Sequence, residues 1–456
     1  MLRASGRPVR SFVASPHTRS HAAGDCRLAQ HREERAITDS NISQSIGQLA
    51  HRKDQPHLPS LTPLRGIAAI WVVLYHYGVL YFPNVQPSRY TALLNKGYLA
   101  VDLFFMLSGF VMTHVYREVF ASRVCWRSYW TFLSARIARL YPLHLAVLGL
   151  FLAAGLAVST AEYAAGGPVT GIPMWGVRSV VALIANLFML QGLHASTLSW
   201  NYAAWSISLE FMAYLVFPFV LMRVWRAGSR TQGLLALILF AVLAWLAWLT
   251  RDDFNQWDGP TTLLRCLPEF LLGTLLYRAY LSPARAALLS GDAVTLALLA
   301  AVLLALHAKG PDLLVIVLFA ALLMAVVSNR SRVGAWLNSS PLVWLGEISY
   351  ALYLVHGFVE HTASEVLSLG LHIADRHQLS SGLSLGVLAV MLAASLLLAA
   401  ACYRWIEKPA QRYVRGALAV QGDGGDATLP GAGSATVAIA APSHRHGVGG
   451  NTPFDS

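Results

Sequence analysis

The sequence predicts an all-α polytopic membrane helix bundle of about ten transmembrane helices with both termini cytoplasmic, and three observations carry that expectation. Charged residues make up 12% of the 456-residue chain and hydrophobic residues 55%, where soluble domains hold roughly 25% charged. Mean hydropathy is +0.51. Apolar runs approaching the ~20 residues that cross ~30 Å of hydrocarbon as a helix recur along the chain. A soluble enzyme is excluded. The net charge of +11 fits Lys and Arg gathered in cytoplasmic loops, and with no folded basic domain present, nucleic acid is not an expected partner. Cys26, Cys125, Cys266 and Cys402 are scattered and form no CxxC pair. Neither a disulfide framework nor a metal site is expected.

Residues 1–60 hold nine basic and five acidic residues and no sustained apolar run. They read as a disordered basic N-terminal arm, or as the result of a start codon set too far upstream. No signal-peptide core precedes the first span, which therefore acts as the insertion signal. The membrane domain covers 61–415, with spans at 64–82, 98–116, 140–160, 203–222, 233–250, 262–280, 291–307, 311–328, 348–366 and 383–405. Segment 177–193 is short, contains Asn186 and ends in Gln191 and Gly192, so spanning, re-entrant and interfacial placements all fit its pattern. The positive-inside rule separates them. With ten spans, sixteen basic residues between Arg117 and Arg415 fall on the inside against six outside, namely Arg89, Lys96, Arg178, Arg251, Lys309 and Arg376. An eleventh span at 177–193 would leave about 8 inside and 13 outside. Ten spans is the better fit, which makes 161–202 a large external excursion. Residues 416–456 are rich in Gly, Ala and Ser and read as a low-complexity disordered tail.

Ionisable residues inside hydrocarbon cost about 2.5–3.5 kcal/mol each at a helix centre on insertion scales, so each needs a reason. Arg65 opens the first span and His76 follows eleven positions later. Eleven steps of 100° fall within about 20° of three full turns with a rise of about 16 Å. The two therefore share a helix face, with Arg65 at the cytoplasmic surface, His76 near the midplane, and Ala69, Val72 and Val73 between them. The structural alternative is a snorkelling arginine and a histidine that satisfies a neighbouring carbonyl. In the second span, Gly109 permits close helix approach and Ser108 can hydrogen-bond across it, while Asp102 needs a partner or a wet cavity. Arg136 and Arg139 are three apart, neighbours on a helix, and their planar donor forks suit phosphate. Topology signalling is the competing reading. Glu210 is a lone carboxylate a third of the way into the fourth span, and Arg265 and Glu269 can neutralise each other at i, i+4. Ser349, Tyr353 and His356 share one broad face of the ninth span, giving a second midplane histidine. Together these residues describe a polar cavity across an otherwise apolar bundle. They suggest acyl transfer from a nucleotide thioester, or else proton-coupled transport or flipping of a lipid-linked glycan.

Seven motifs in order resemble the acyltransferase-3 family of integral membrane acyltransferases. They are Arg65-x10-His76, the segment from Gly97 through Asp102 to Ser108-Gly109-Phe110, Arg136-x-x-Arg139-Leu-Tyr-Pro142, Trp205-Ser-x-x-Leu-Glu210, Pro268-Glu269-Phe270-x-x-Gly273, Ser349-Tyr350-x-x-Tyr353-Leu-x-His356 and Glu407-Lys408-Pro409. The resemblance runs from about 60 to 415. It implies a multi-pass plasma (inner) membrane enzyme that takes an acyl group, usually acetyl, from acyl-CoA on the cytosolic face and passes it to a hydroxyl of a cell-surface or lipid-linked glycan. It further implies that Arg65 and His76 form the essential pair and that Ser108, Gly109, Arg136 and Arg139 contribute to the coenzyme A site. Many relatives carry a hydrolase-like domain after the last span, where this chain shows only the low-complexity tail. The expected mechanism has the arginines holding the coenzyme A phosphates and His76 acting as general base, a task suited to imidazole at neutral pH. Glu210 or Asp102 would orient the acceptor or the imidazole, and His356 would serve as a second station for a covalent relay. The lipid bilayer, the thioester and a glycan or glycolipid acceptor are the expected partners.

Overall fold

The computed structural model describes residues 58–423 apart from 59, 90, 168–171, 173, 194–198, 257–258 and 374–378. Arg376, most of the arm expected over 1–60, and the tail beyond Asp423 lie outside the described residues. Each of the ten expected spans coincides with a helix: α1 (Leu61–Tyr75), α2 (Ala100–Phe120), α3 (Trp126–Ala164), α5 (Trp205–Arg226), α6 (Ser229–Leu249), α7 (Leu263–Tyr280), α8 (Asp292–His307), α9 (Asp312–Ser328), α11 (Ser349–Glu365) and α12 (Ser381–Cys402). No strand occurs among the described residues. Among the described residues, six helices are long and apolar enough alone to cross a membrane; a seventh arises if α10 (Ser340–Glu347) and the helix after it, bent by 63°, count as one span. Asp292–His307 and Asp312–Ser328 are shorter apolar helices, and α7 carries Arg265, Glu269 and Arg278.

Two segments differ in detail from the expectation. The 177–193 segment contains α4, the eight residues Val180–Leu187, about 12 Å of helix, which is too short to cross, and ends in a 3-10 turn, Gln191–Leu193. Ser179 caps it by accepting from the Ala182 amide at 3.1 Å, and His144 Nε2 meets the Asn186 carbonyl at 2.9 Å. The third span, expected from 140, is part of a 39-residue helix starting at Trp126. Arg127, Arg136 and Arg139 therefore sit on helix rather than in a loop. Pro142 lies inside α3, where its ring removes one rung of the ladder.

The connections sort to two ends. At one end Arg226 donates to the Ser122 carbonyl, Arg278 to the Trp225 carbonyl at 3.0 Å and Arg330 to the Tyr280 hydroxyl at 3.4 Å. At the other, Lys96 binds Asp312 at 2.5 Å, Asn84 donates to the Leu379 carbonyl at 2.8 Å and Arg178 meets His361 at 3.3 Å. Basic residues dominate the first end. Apolar side chains such as Leu237, Trp248, Val390 and Leu397 are 62–75% exposed on α6 and α12, as lipid-facing residues would be.

The α2–α7 contact is the tightest in the bundle. A methyl group at Gly109 would overlap the Phe270 carbonyl oxygen, and one at Gly273 would overlap that of Met106. These reciprocal glycines let the backbones touch, as small residues do at membrane helix interfaces. Gly109 thus packs two helices and meets backbone where a ligand contact was expected. Asp102 is committed to the same pair of helices, since Arg265 grips it with two bonds of 2.7 and 2.5 Å and donates also to the carbonyls of Phe254 at 2.8 Å and Tyr98 at 3.3 Å. Arg265 was expected to pair with Glu269. It faces α2 instead, and the Glu269 carboxyl lies beside Asp102 with no other hydrogen-bond partner among the described residues.

Candidate functional site

The backbone of α1 changes at His76. The α-helix gives way to a π-helical turn, His76–Tyr81, a wide turn that is rare and found often at functional sites. Its effect is local. His76 Nδ1 lies 2.9 Å from the Val72 carbonyl; a carbonyl only accepts, so Nδ1 carries the proton and Nε2 keeps its lone pair. The imidazole stacks on Tyr202 with ring centroids 4.9 Å apart, and His356 stands across from it at 4.9 Å. The buried stripe joining Arg65 to His76 is present, with Ala69, Val72 and Val73 at most 1% exposed.

Tyr202 and His356 come from elements far apart in sequence. Tyr202 begins a short 3-10 turn that Asn201 secures by accepting from the Ala203 amide at 3.1 Å and donating to the Leu354 carbonyl at 3.0 Å. The Tyr202 hydroxyl donates to Glu360 at 2.6 Å. His356 lies on α11, fully buried, and neither ring nitrogen has a hydrogen-bond partner of normal geometry among the described residues. Tyr77, one residue past His76, donates to the His356 carbonyl at 2.8 Å and meets Ser395 Oγ at 2.7 Å. A buried polar group without a partner costs about 1–3 kcal/mol, so the two imidazoles form a costly, unsatisfied centre.

A second cluster lies toward the basic end. Arg139 forms a salt bridge with Glu407, and its guanidinium sits 5.2 Å from the Tyr350 ring centroid. Glu407 also belongs to a π-helical turn, Tyr403–Glu407. Arg65 and Arg136 are near enough for their charges to act on Arg139. Arg136 donates to the Tyr116 hydroxyl at 3.1 Å and leaves its Nε without a partner. Ser108 donates to Glu210, and the Tyr214 hydroxyl donates to the same carboxylate oxygen at 2.5 Å.

Helix α11 links the clusters. Tyr350 lies by Arg139, Tyr353 meets Ser206 Oγ at 2.7 Å, and His356 faces His76. Spacings of three set these rungs along one drifting face. Ser349, at the start of that face, donates to the Gly346 carbonyl at 2.8 Å where the helix bends. The structure therefore joins His76 to His356, and Arg65, Arg136 and Arg139 to one another. Glu210 and Ser108 belong to the arginine cluster, and Asp102 to the Arg265 ion pair; neither carboxylate is hydrogen-bonded to His76. Residue-by-residue reading missed Tyr202 and Glu360. Glu360 falls four residues after His356, on the same helix face, and that spacing was the signal available. No group of His, Cys, Asp and Glu placed to hold a metal occurs among the described residues.

Comparison with known proteins agrees with this architecture. The acyltransferase-3 family model, described as an acyltransferase domain, matches residues 58–404. The chain is 30% identical over 387 residues to acyltransferase MdmB of Streptomyces mycarofaciens, covering 78% of this chain and 92% of that protein. It is 22% identical over 385 residues to O-acetyltransferase OatA of Staphylococcus aureus (strain NCTC 8325 / PS 47), covering 78% of this chain and 57% of OatA. A 93-residue stretch is 40% identical to protein 2 of the picA locus of Rhizobium radiobacter, covering 20% of this chain and 43% of that protein. No solved structure matches. With a family match across most of its length, and every residue of the two site clusters except Glu407 inside the matched region, the chain belongs to the acyltransferase-3 family of multi-pass membrane proteins.

Proposed function

We propose that this protein moves an acyl group, acetyl in the first instance, from acyl-CoA onto a hydroxyl of a cell-surface or lipid-linked glycan, from a seat in the plasma (inner) membrane with the arginine end and both termini toward the cytosol. The observation that carries the reading is the His76 imidazole. Its Nδ1 is held by the Val72 carbonyl and its Nε2 has no hydrogen-bond partner among the described residues, on the helix whose other end brings Arg65 near Arg139.

In this reading Arg65 and Arg136 bind the phosphates of coenzyme A at the basic end. Arg139, already paired with Glu407, orders the cluster. The pantetheine arm runs along the Tyr350–Tyr353 face of α11 and delivers the thioester to the two histidines. His76 Nε2 takes the proton of the acceptor hydroxyl as its oxygen attacks the thioester carbonyl carbon. The tetrahedral intermediate collapses with cleavage of the C–S bond, and the imidazolium returns the proton to the departing sulfur. His356 Nε2 is the alternative acyl carrier, forming an acyl-imidazole before the acceptor attacks. Glu210 holds Ser108 and Tyr214 at the donor side, while Asp102 serves the fold. The relative OatA is named an O-acetyltransferase, which supports an oxygen acceptor.

The test is transfer from radiolabelled acetyl-CoA by the purified protein. His76→Ala is expected to abolish transfer with donor binding retained, and Arg65→Ala to weaken acetyl-CoA binding. Full transfer by the histidine variant removes the proposed base. Unchanged donor affinity in Arg65→Ala and Arg136→Ala removes the phosphate site.

A further inference from the structure

When His76 takes a proton from the acceptor hydroxyl it becomes an imidazolium, and it stays one until the proton returns to the departing sulfur. A cation among buried side chains is costly unless opposite charge or electron density is set against it. A carboxylate on the other ring nitrogen would serve, but Nδ1 is engaged by a neutral group, the Val72 carbonyl at 2.9 Å. Asp102 is gripped by Arg265, and Glu210 accepts from Ser108 and Tyr214. The face of the imidazole is the remaining route.

Tyr202 covers that face. Its ring lies 4.9 Å from the His76 ring at an interplanar angle of 29°, and 5.6 Å from the His356 ring at 81°. A cation within about 6 Å of an aromatic centroid is drawn to the electron-rich ring face. Neutral imidazole gains less from the same contact, so the stack favours the charged form that exists only while the reaction is under way. Behind the ring, the Tyr202 hydroxyl donates to Glu360 at 2.6 Å. Such a charge-assisted bond draws the hydroxyl proton toward the carboxylate and leaves the ring richer in electrons. Glu360 thereby acts on His76 without touching it.

The seat for this ring is built into two segments. Asn201 holds the turn by accepting from the Ala203 amide at 3.1 Å and donating to the Leu354 carbonyl at 3.0 Å. On α11 the turn rests on Gly357, where a methyl group would come within 3.1 Å of Asn201 Oδ1 and 3.2 Å of the Tyr202 ring. Glu360 follows Gly357 by three residues and His356 by four, neighbouring positions on a helix surface. One face of α11 therefore supplies the second imidazole, the gap that admits the tyrosine and the carboxylate that anchors it. We infer that Tyr202 and Glu360 form a positioning pair, relaying the counter-charge of a carboxylate through an aromatic ring to the His76 imidazolium. The inference rests on the acyl-transfer reading above and adds how its base is stabilised once charged.

The experiment measures turnover of radiolabelled acetyl-CoA by the purified full-length protein, with whichever of a panel of p-nitrophenyl glycosides and decanol it acetylates fastest, alongside the thermal unfolding midpoint. Glu360→Gln keeps size and an acceptor oxygen but loses the charge; Tyr202→Phe keeps the ring but loses the hydroxyl. Each is expected to lower kcat about three- to tenfold, with the KM for acetyl-CoA within about twofold and the unfolding midpoint unchanged. The double variant is expected to match the weaker single variant within about twofold, since a relay cut at either link is already broken. Unaltered kcat in both single variants overturns the inference. So do losses that multiply in the double variant, which mean that Glu360 acts by another path. A lowered unfolding midpoint with normal kcat per folded molecule reduces the pair to a structural bond and overturns it equally. Absence of any acetyl-CoA consumption by the unaltered protein, with acceptor or water, overturns the underlying acyl-transfer reading instead.

Discussion

Two buried polar centres lie in this bundle and are built on opposite plans. Around Asp102, Arg265 spends its donors on two carboxylate oxygens and two backbone carbonyls, between helices closed by Gly109 and Gly273. Around His76, the neighbouring His356 has no well-formed hydrogen bond at either nitrogen, and His76 keeps one nitrogen free. Arg265 and Asp102 have nothing left to offer a ligand, although the Glu269 carboxyl beside Asp102 has no other hydrogen-bond partner among the described residues. The imidazoles retain unmet capacity in a core where that is expensive, which makes them candidates for chemistry.

Variants at each centre should break in different currencies. The largest effect is expected from His76→Gln, which keeps bulk and polarity but loses the base: transfer rate falls about 10²–10⁴-fold, while the thermal unfolding midpoint stays put. Asp102→Ala should do the reverse. Removing one partner of a buried ion pair costs about 3–5 kcal/mol, seen as a lowered unfolding midpoint in detergent, with near-normal activity per folded molecule. If Asp102→Ala instead kills turnover without affecting stability, the contrast fails. A smaller effect is expected from Arg139→Lys, which keeps the charge but loses the planar fork toward Glu407. The KM for acetyl-CoA should rise about tenfold, equivalent to ~1.4 kcal/mol. Smallest is Tyr202→Phe, which keeps the ring on His76 and drops the bond to Glu360. A severalfold fall in kcat with unchanged donor KM would place Glu360 in the histidine centre, and no change would confine it to the fold.

Most of the bundle was legible because the bilayer leaves few choices: apolar length and the cost of embedded charge mark out segments that each coincide with a helix. The buried stripe of Ala69, Val72 and Val73 between Arg65 and His76 was legible because it lies on one continuous helix. Partners contributed by other helices were not. Arg139 with Glu407, His76 with Tyr202, and Arg265 with Asp102 are each separated by more than a hundred residues, and no periodicity within a segment specifies which faces meet. The i, i+4 pairing of Arg265 with Glu269 failed for that reason. Spacing made it available, but α7 turns its guanidinium toward α2. The third helix was read short because Arg127, Arg136 and Arg139 depress its hydropathy without interrupting its helix propensity.

The wide turn from His76 to Tyr81 has an evolutionary corollary. It holds a residue more than a regular helical ladder would, so deleting one amino acid between Tyr77 and Tyr81 should yield a better-knit helix that aims its rings elsewhere. Descendants freed from the need to acylate would be expected to lose that residue early. Its retention or loss among related chains would then serve as a record of which lineages still practise the chemistry.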